Sequence, residues 1–152
     1  DLCGGKGPGI TQDEYRTQFA LWCMWSSPMA LSFDSRSNNI TADDYAILTN
    51  KHLIALNQDP MGQQADLISE DNGMIVFAKD CANGDVAISV TNMTETEKDF
   101  TFAFSQIPAL DVQQPFHVFD LWNQTALPGK FVAQLKTNVA SHATKVFRLS
   151  KD

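Results

Sequence analysis

Residues 73–92 read GMIVFAKDCANGDVAISVTN. Apolar residues alternate with others on both sides of Cys81-Ala82-Asn83-Gly84, the period-two pattern of strands with a buried face. Asn83-Gly84 is a hairpin signal, because both residue types tolerate the positive φ of a type I′ turn. The same period continues toward the C-terminus. FTFAF places Phe100, Phe102 and Phe104 on one face, and FHVFDLW, KFVAQLKT and ATKVFRLS are further short strands separated by turn residues such as Pro128-Gly129. This spacing predicts an antiparallel β-sandwich over residues 65–152, a unit expected to fold on its own.

Before Gly62 the period is helical. Thr11-Gln12-Asp13-Glu14 is a capping box, in which the Thr hydroxyl and the Glu carboxylate each satisfy a backbone N–H of the first turn. It predicts a helix from Gln12 to about Ser26, stopped by Pro28. Tyr15, Phe19, Trp22 and Ser26 form one stripe; Leu21, Met24 and Trp25 form another. A helix this apolar must be covered on more than one side. MALSFD, residues 29–34, reads as a short buried strand ending in Asp34. Thr41 and Asp44 cap a second helix, and LIALNQ, residues 53–58, is a third, stopped at Pro60. Residues 1–64 therefore read as the tail of a β/α repeat with too few strands to close a sheet.

The chain has 152 residues, 43% of them hydrophobic, with ten Phe and three Trp, enough for a sizeable core. The net charge of −7 argues against a nucleic-acid partner, whose backbone demands clustered Lys and Arg. No apolar run approaches the ~20 residues that span a bilayer, so no membrane partner is expected. Cys3, Cys23 and Cys81 have no zinc-ligand spacing, and Cys23 lies in an apolar helical run as a small hydrophobe would. Parity leaves a Cys3–Cys81 bridge open. His52, His117 and His142 are scattered without metal or triad spacing, and nothing in the pattern calls for a cofactor. Asn39, Asn92 and Asn123 head Asn-x-Thr sequons, which matter on a eukaryotic secretory route.

Three phrases carry a family resemblance: ITQDEYRTQFALW (residues 10–22), SSPMALSFD (26–34) and NKHLIALNQDPMGQQ (50–64). They resemble the C-terminal part of glycoside hydrolase family 27, the melibiases or α-galactosidases. The second resembles that family's Ser-Pro-Leu-Leu-Ile-Gly-x-Asp. The third resembles its Asn-Gln-Asp-Pro-Leu-Gly, here Asn57 to Gly62. VFDLW and SHATKVFRL are weaker echoes in the sandwich. The resemblance implies an α+β chain: the last units of a (β/α)₈ barrel, then an antiparallel sandwich of Greek-key type. It sets Asp1 at the end of barrel strand seven, where such barrels place their active sites.

It also implies a retaining exo-glycoside hydrolase acting on terminal α-linked galactose or a related sugar. Such enzymes need two carboxyl groups, and the family draws both from Asp residues on strands four and six, which this sequence does not include. No catalytic residue is therefore assigned here. The chain alone is expected to be inactive until a missing N-terminal barrel segment is supplied. Asp1 and Leu2 match residues that line the family's sugar pocket, and a carboxylate there accepts hydrogen bonds from sugar hydroxyls. A secreted, periplasmic or lysosomal/vacuolar location follows from the same resemblance. The sequence departs from the family where Gln18 replaces the usual His, at Ser32-Phe33, and in the glycine-rich phrase after Asp1.

Several residues carry plainer readings beside these. Asp34 ends a barrel-type strand but also suits a loop cap. Asp1 and Asp34 on adjacent strands ~4.8 Å apart would satisfy the spacing of a catalytic pair, a use the family does not make. Asp59 before Pro60 is a turn residue. Trp122 could stack on a sugar or pack between layers. The alternative function is a non-catalytic β-sandwich accessory or carbohydrate-binding module, which would show a row of exposed aromatics on one face. Exposing Phe19, Trp22 and Trp25 together would forfeit roughly 10 kcal/mol, so their helix must find cover on the sandwich, on a second copy of the chain or on a partner carrying the earlier strands, and the partner or self-association is expected.

Overall fold

The computed structural model describes residues 10–31, 40–108, 110 and 113–151. Three helices come first: α1 (Gln12–Met24), α2 (Ala42–Leu48) and α3 (Lys51–Asn57). Eight strands follow: β1 (Asp66–Asp71), β2 (Met74–Asp80), β3 (Val86–Asn92), β4 (Lys98–Ala103), β5 (His117–Asp120), β6 (Thr125–Ala126), β7 (Gln134–Val139) and β8 (Thr144–Ser150).

The capping boxes form as the sequence predicts. Glu14 N donates to Thr11 Oγ1 and Thr11 N to Glu14 Oε2; Thr41 and Asp44 do the same for α2. α1 ends at Met24 rather than Ser26, and the stop is not Pro28. Ser26 adopts φ 50°, Ser27 N donates to Trp22 O, and Ser26 N to Cys23 O. This left-handed C-terminal motif is one that glycine usually supplies. Met29–Leu31, the described part of the expected strand, has no regular structure; Asp34 lies outside the described residues.

The strands form an α+β chain's antiparallel sandwich. One sheet has six strands in the order β1-β2-β3-β8-β5-β6; β4 and β7 form the second. The chain crosses to the second sheet between β3 and β4, returns between β4 and β5, crosses again between β6 and β7 and returns between β7 and β8, placing β8 beside β3, as Greek-key connections do. β1 and β6 escape the period-two reading. β1 has the burial pattern of an edge strand with a bulge between Leu67 and Ser69, and β6 is two residues long.

The turn chemistry is redistributed. Asn72 and Gly73, with φ of 50° and 76°, make the two-residue turn that pairs Asp71 with Met74, the geometry of a type I′ hairpin. At Asn83-Gly84 only Gly84 has positive φ, 85°. Gly84 N donates to Cys81 O and Cys81 N to Asp85 O, a type I turn followed by a glycine bulge. The extra residue is held by Arg148 Nε, which donates to Asp85 Oδ2 at 2.6 Å.

Two cores share the large sheet. Between the sheets lie Val76, Ile88, Val90, Phe102, Phe104, Phe116, Leu135 and Leu149. Phe102 and Phe104 are buried and Phe100 half-buried, although Phe104 already begins a 3₁₀ turn. On the opposite face Phe19, Cys23, Met24, Leu53 and Leu56 pack with Ala87, Leu121 and Val146. The sandwich itself thus covers Phe19 and Met24, which are 1% and 0% exposed. Of the covers weighed from the sequence, the sandwich supplies this part. Trp22 is half-buried, and Trp25, 38% exposed, sets its ring edge-on to Phe77 with centroids 5.6 Å apart.

Candidate functional site

Asp1 and Leu2, the sugar-pocket residues implied by the resemblance, lie outside the described residues, as do Cys3, Asp34 and Asn39. What the structure does build is the junction between helices and sandwich, and the residues of Asn57-Gln58-Asp59-Pro60-Met61-Gly62 are its fasteners.

Asn57 Nδ2 donates to the Ser27 and Trp22 carbonyls at 2.9 and 3.2 Å. It thereby adds a second donor to Trp22 O, ties in the carbonyl just past α1, and joins the end of α3 to the end of α1. Asp59 is the turn residue expected, with an additional reach. Oδ1 accepts from Met61 N, and both carboxylate oxygens accept from Ala82 N at 3.1 Å. The carboxylate so ties the end of the helical segment to the β2–β3 turn.

Lys79 is the residue the sequence reading missed. It lies in β2 on the Phe77 face and is 2% exposed. Its Nζ donates to Leu56 O at 2.8 Å and to Ser26 Oγ at 2.6 Å. Burial pushes its pKa below the usual lysine value, and an ammonium at the C-terminal end of α3 faces the negative end of that helix. A lone Lys within an apolar run was the available signal. Burial likewise raises the Cys23 thiol to about 12 and raises the thiol of Cys81; both thiols are free and buried, while Cys3, the other end of the bridge the sequence left open, lies outside the described residues.

Further along the junction, Asn50 caps α3 and donates from Nδ2 to Leu121 O at 2.9 Å. Thr17 Oγ1 donates to His142 O at 2.7 Å. Trp122 packs between layers: its ring is 6.5 Å from that of Phe19, the Arg16 guanidinium stands 5.9 Å over it, and Nε1 is buried without a protein partner. Two shallow clefts of about 140 and 120 Å³ flank it. His52 and His142 have separate surroundings. His52 is 4.8 Å from the Phe119 ring, and His142 Nε2 is 3.2 Å from Glu95. Burial, with Lys51 and Arg148 nearby, holds His52 below the ordinary imidazole value.

Comparison with known proteins matches both segments. Residues 71–149 match the family described as the alpha galactosidase C-terminal beta sandwich domain, and residues 4–59 match the family described as alpha galactosidase A. Alpha-galactosidase A of Aspergillus niger is 37% identical over 143 residues, covering 94% of this chain and 26% of that protein. The chain thus spans about a quarter of that relative's length. The crystal structure of alpha-galactosidase I from Mortierella vinacea superposes with a TM-score of 0.88 at 26% identity, over 95% of this chain and 37% of that one. A family 27 β-L-arabinopyranosidase from Geobacillus stearothermophilus shares the fold at 23% identity and a TM-score of 0.82, over 95% of this chain and 32% of that one. Helical segment and sandwich together place this chain in glycoside hydrolase family 27, the melibiases, where it corresponds to a C-terminal portion of the α-galactosidase chain.

Proposed function

We propose that this chain is the C-terminal portion of a retaining exo-glycoside hydrolase that removes terminal α-linked galactose or a related sugar. The supporting observation is the match to α-galactosidases along 94% of the chain, through the helical segment as well as the sandwich. In this reading Asp1 and Leu2 line the sugar pocket, and the nucleophile and acid/base carboxyls come from barrel strands that must be supplied. The sandwich serves as a buttress. Lys79, Asn50 and Asp59 fix the helices against it, so the end of the barrel is seated on the sandwich.

The partner is the upstream barrel segment, or failing that a second copy of the chain. Ile10, Trp25 and Leu31 are 49%, 38% and 45% exposed, and Leu21 and Trp22 are half-buried, an apolar remainder that such a partner would cover. In the same reading the boundary between barrel end and sandwich falls at residues 64/65.

The test is a chimera joining this chain behind the upstream barrel of the Aspergillus niger relative, assayed on nitrophenyl α-D-galactoside. Turnover by the chimera and none by the chain alone is the expected result. A folded chimera without turnover, or turnover by the chain alone, overturns the reading.

A further inference from the structure

We propose that Asn123 is an N-glycan acceptor that this fold accommodates, whereas Asn92 is one that it excludes. The two head sequons of the same form, Asn123-Gln124-Thr125 and Asn92-Met93-Thr94, and the structure separates them.

Asn92 ends β3 and is 0% exposed. Its Nδ2 donates to the carbonyls of Thr96, Val139 and Ala140 at 2.8, 3.0 and 3.1 Å. Its Oδ1 accepts from Thr94 N and Thr94 Oγ1 at 2.9 and 2.7 Å. The amide and the sequon hydroxyl are both consumed in holding the β3–β4 turn against the end of β7. A sugar on Nδ2 would break up this set of bonds, the one to buried Val139 among them, and has no room at a side chain that is fully enclosed.

Asn123 sits in the turn between β5 and β6, where every residue from Asn123 to Ala126 is exposed. Its Nδ2 donates to Asp120 Oδ2 at 2.8 Å. A glycosylated amide keeps one N–H, so the substitution leaves a donor for Asp120. Asp120 Oδ1 is held independently by the backbone N–H groups of Trp122 and Asn123, each at 2.9 Å, so the turn does not depend on the side-chain contact. The two clefts beside Trp122 are both bordered by Asn123 and open room for the first sugar ring next to an indole.

The donor is a polyprenyl-pyrophosphate-linked oligosaccharide. The Asn123 Nδ2–C1 bond forms, the C1–oxygen bond to the pyrophosphate breaks, and the electron pair leaves with the polyprenyl pyrophosphate. The proton lost from Nδ2 passes to the transferase.

The experiment uses the full chain with Asn39→Gln, placed behind a secretion signal in a yeast host. Secreted protein is tested for a cooperative melt and then treated with peptide N-glycosidase in heavy-oxygen water, and each sequon is read by peptide mass spectrometry. Label at Asn123 and none at Asn92 is expected, with Thr125→Ala removing the gel shift and leaving the melt unchanged. If the chain is not secreted, translation with microsomes followed by protease challenge gives the same reading on the resistant fraction. A folded chain unmodified at Asn123, or one carrying sugar at Asn92, overturns the proposal.

Discussion

Lys79 Nζ donates a 2.8 Å hydrogen bond to the carbonyl of Leu56, so a cation buried in the large sheet closes the last turn of α3. Lys79→Met keeps the apolar stem but removes the bonds to Ser26 Oγ and to Leu56 O, which retains only the 3.4 Å contact from Asp59 N. Losing the charged donor costs about 1–3 kcal/mol, and the melting temperature should fall accordingly. Calorimetry on the purified chain checks this; an unchanged melt would mean that a water takes the place of the ammonium.

Asn92→Ala should be more damaging than most single changes. It removes the Nδ2 bonds to the Thr96, Val139 and Ala140 carbonyls, of which Thr96 O keeps Thr94 Oγ1 and Ala140 O keeps Ala143 N, and it removes the acceptor for Thr94 N and Oγ1. We expect a loss of about 3 kcal/mol, at the upper end of ordinary point substitutions. Urea denaturation measures it, and a loss under about 1 kcal/mol would show that the turn relaxes around the gap.

Acid should loosen the helical caps. Hydrogen bonds from the Thr11 backbone and side chain hold the Glu14 carboxyl below its ordinary value of 4.5. Burial pushes Asp44 up, but bonds from Thr41 and Gln12 outweigh it and leave the group below 3.8. A carboxyl lowered in the folded state contributes stability above its unfolded value and loses it as pH falls through the folded one. Melting temperature should therefore decline below pH 4.5 for Glu14 and below pH 3.8 for Asp44. Asp44→Asn should flatten part of that decline, and an unchanged slope would remove the cap from the explanation.

Cys23 and Cys81 should be silent to thiol reagents in the folded protein. Cys23 is 0% exposed and Cys81 4%, and burial disfavours the reactive thiolate in both. Alkylation at neutral pH followed by peptide mapping should find neither modified until denaturant is added. Labelling of Cys23 before unfolding would show that α1 separates from the sheet locally.

A chain of residues 66–152 should still assemble the core between the sheets, because Val76, Ile88, Phe102 and Phe116 all lie within it. It would expose Ala87, Leu121, Val146 and the half-covered Phe77 and Phe119. We expect a β-type circular dichroism spectrum, a cooperative melt at lower temperature, and self-association by light scattering. A disordered spectrum would show that the helices are needed for the sandwich to form.

What was legible in the sequence follows physical periodicity. The capping boxes at Thr11 and Thr41 are local and formed as read. The strands β2, β3, β4, β5, β7 and β8 carry apolar patterns that declare a buried face. β1 hides because an edge strand exposes Leu67 and bulges beside it, and β6 is too short to show a period. The turn at Asn83-Gly84 took another form, and Arg148, distant in sequence, bonds both Asp85 and Asn83 there. Lys79 was missed for a related reason. Its partners Leu56 and Ser26 meet only once the sheet and helices are docked, and composition alone treats a lysine as a surface residue. The family phrases named the chain's relatives, yet the pocket residues they imply, Asp1 and Leu2, owe nothing to the described part of the fold.

All seven residues of β3 are buried, with Val86, Ile88 and Val90 facing one core and Ala87 the other. Flanked on both edges by β2 and β8, this strand offers solvent neither a face nor a margin. Its amide protons can therefore meet deuterium only when the whole molecule opens. β3 is the chain's internal clock: its exchange rate reports the global unfolding equilibrium, and any upstream segment or ligand that grips the native state should slow that clock by the factor it adds to stability.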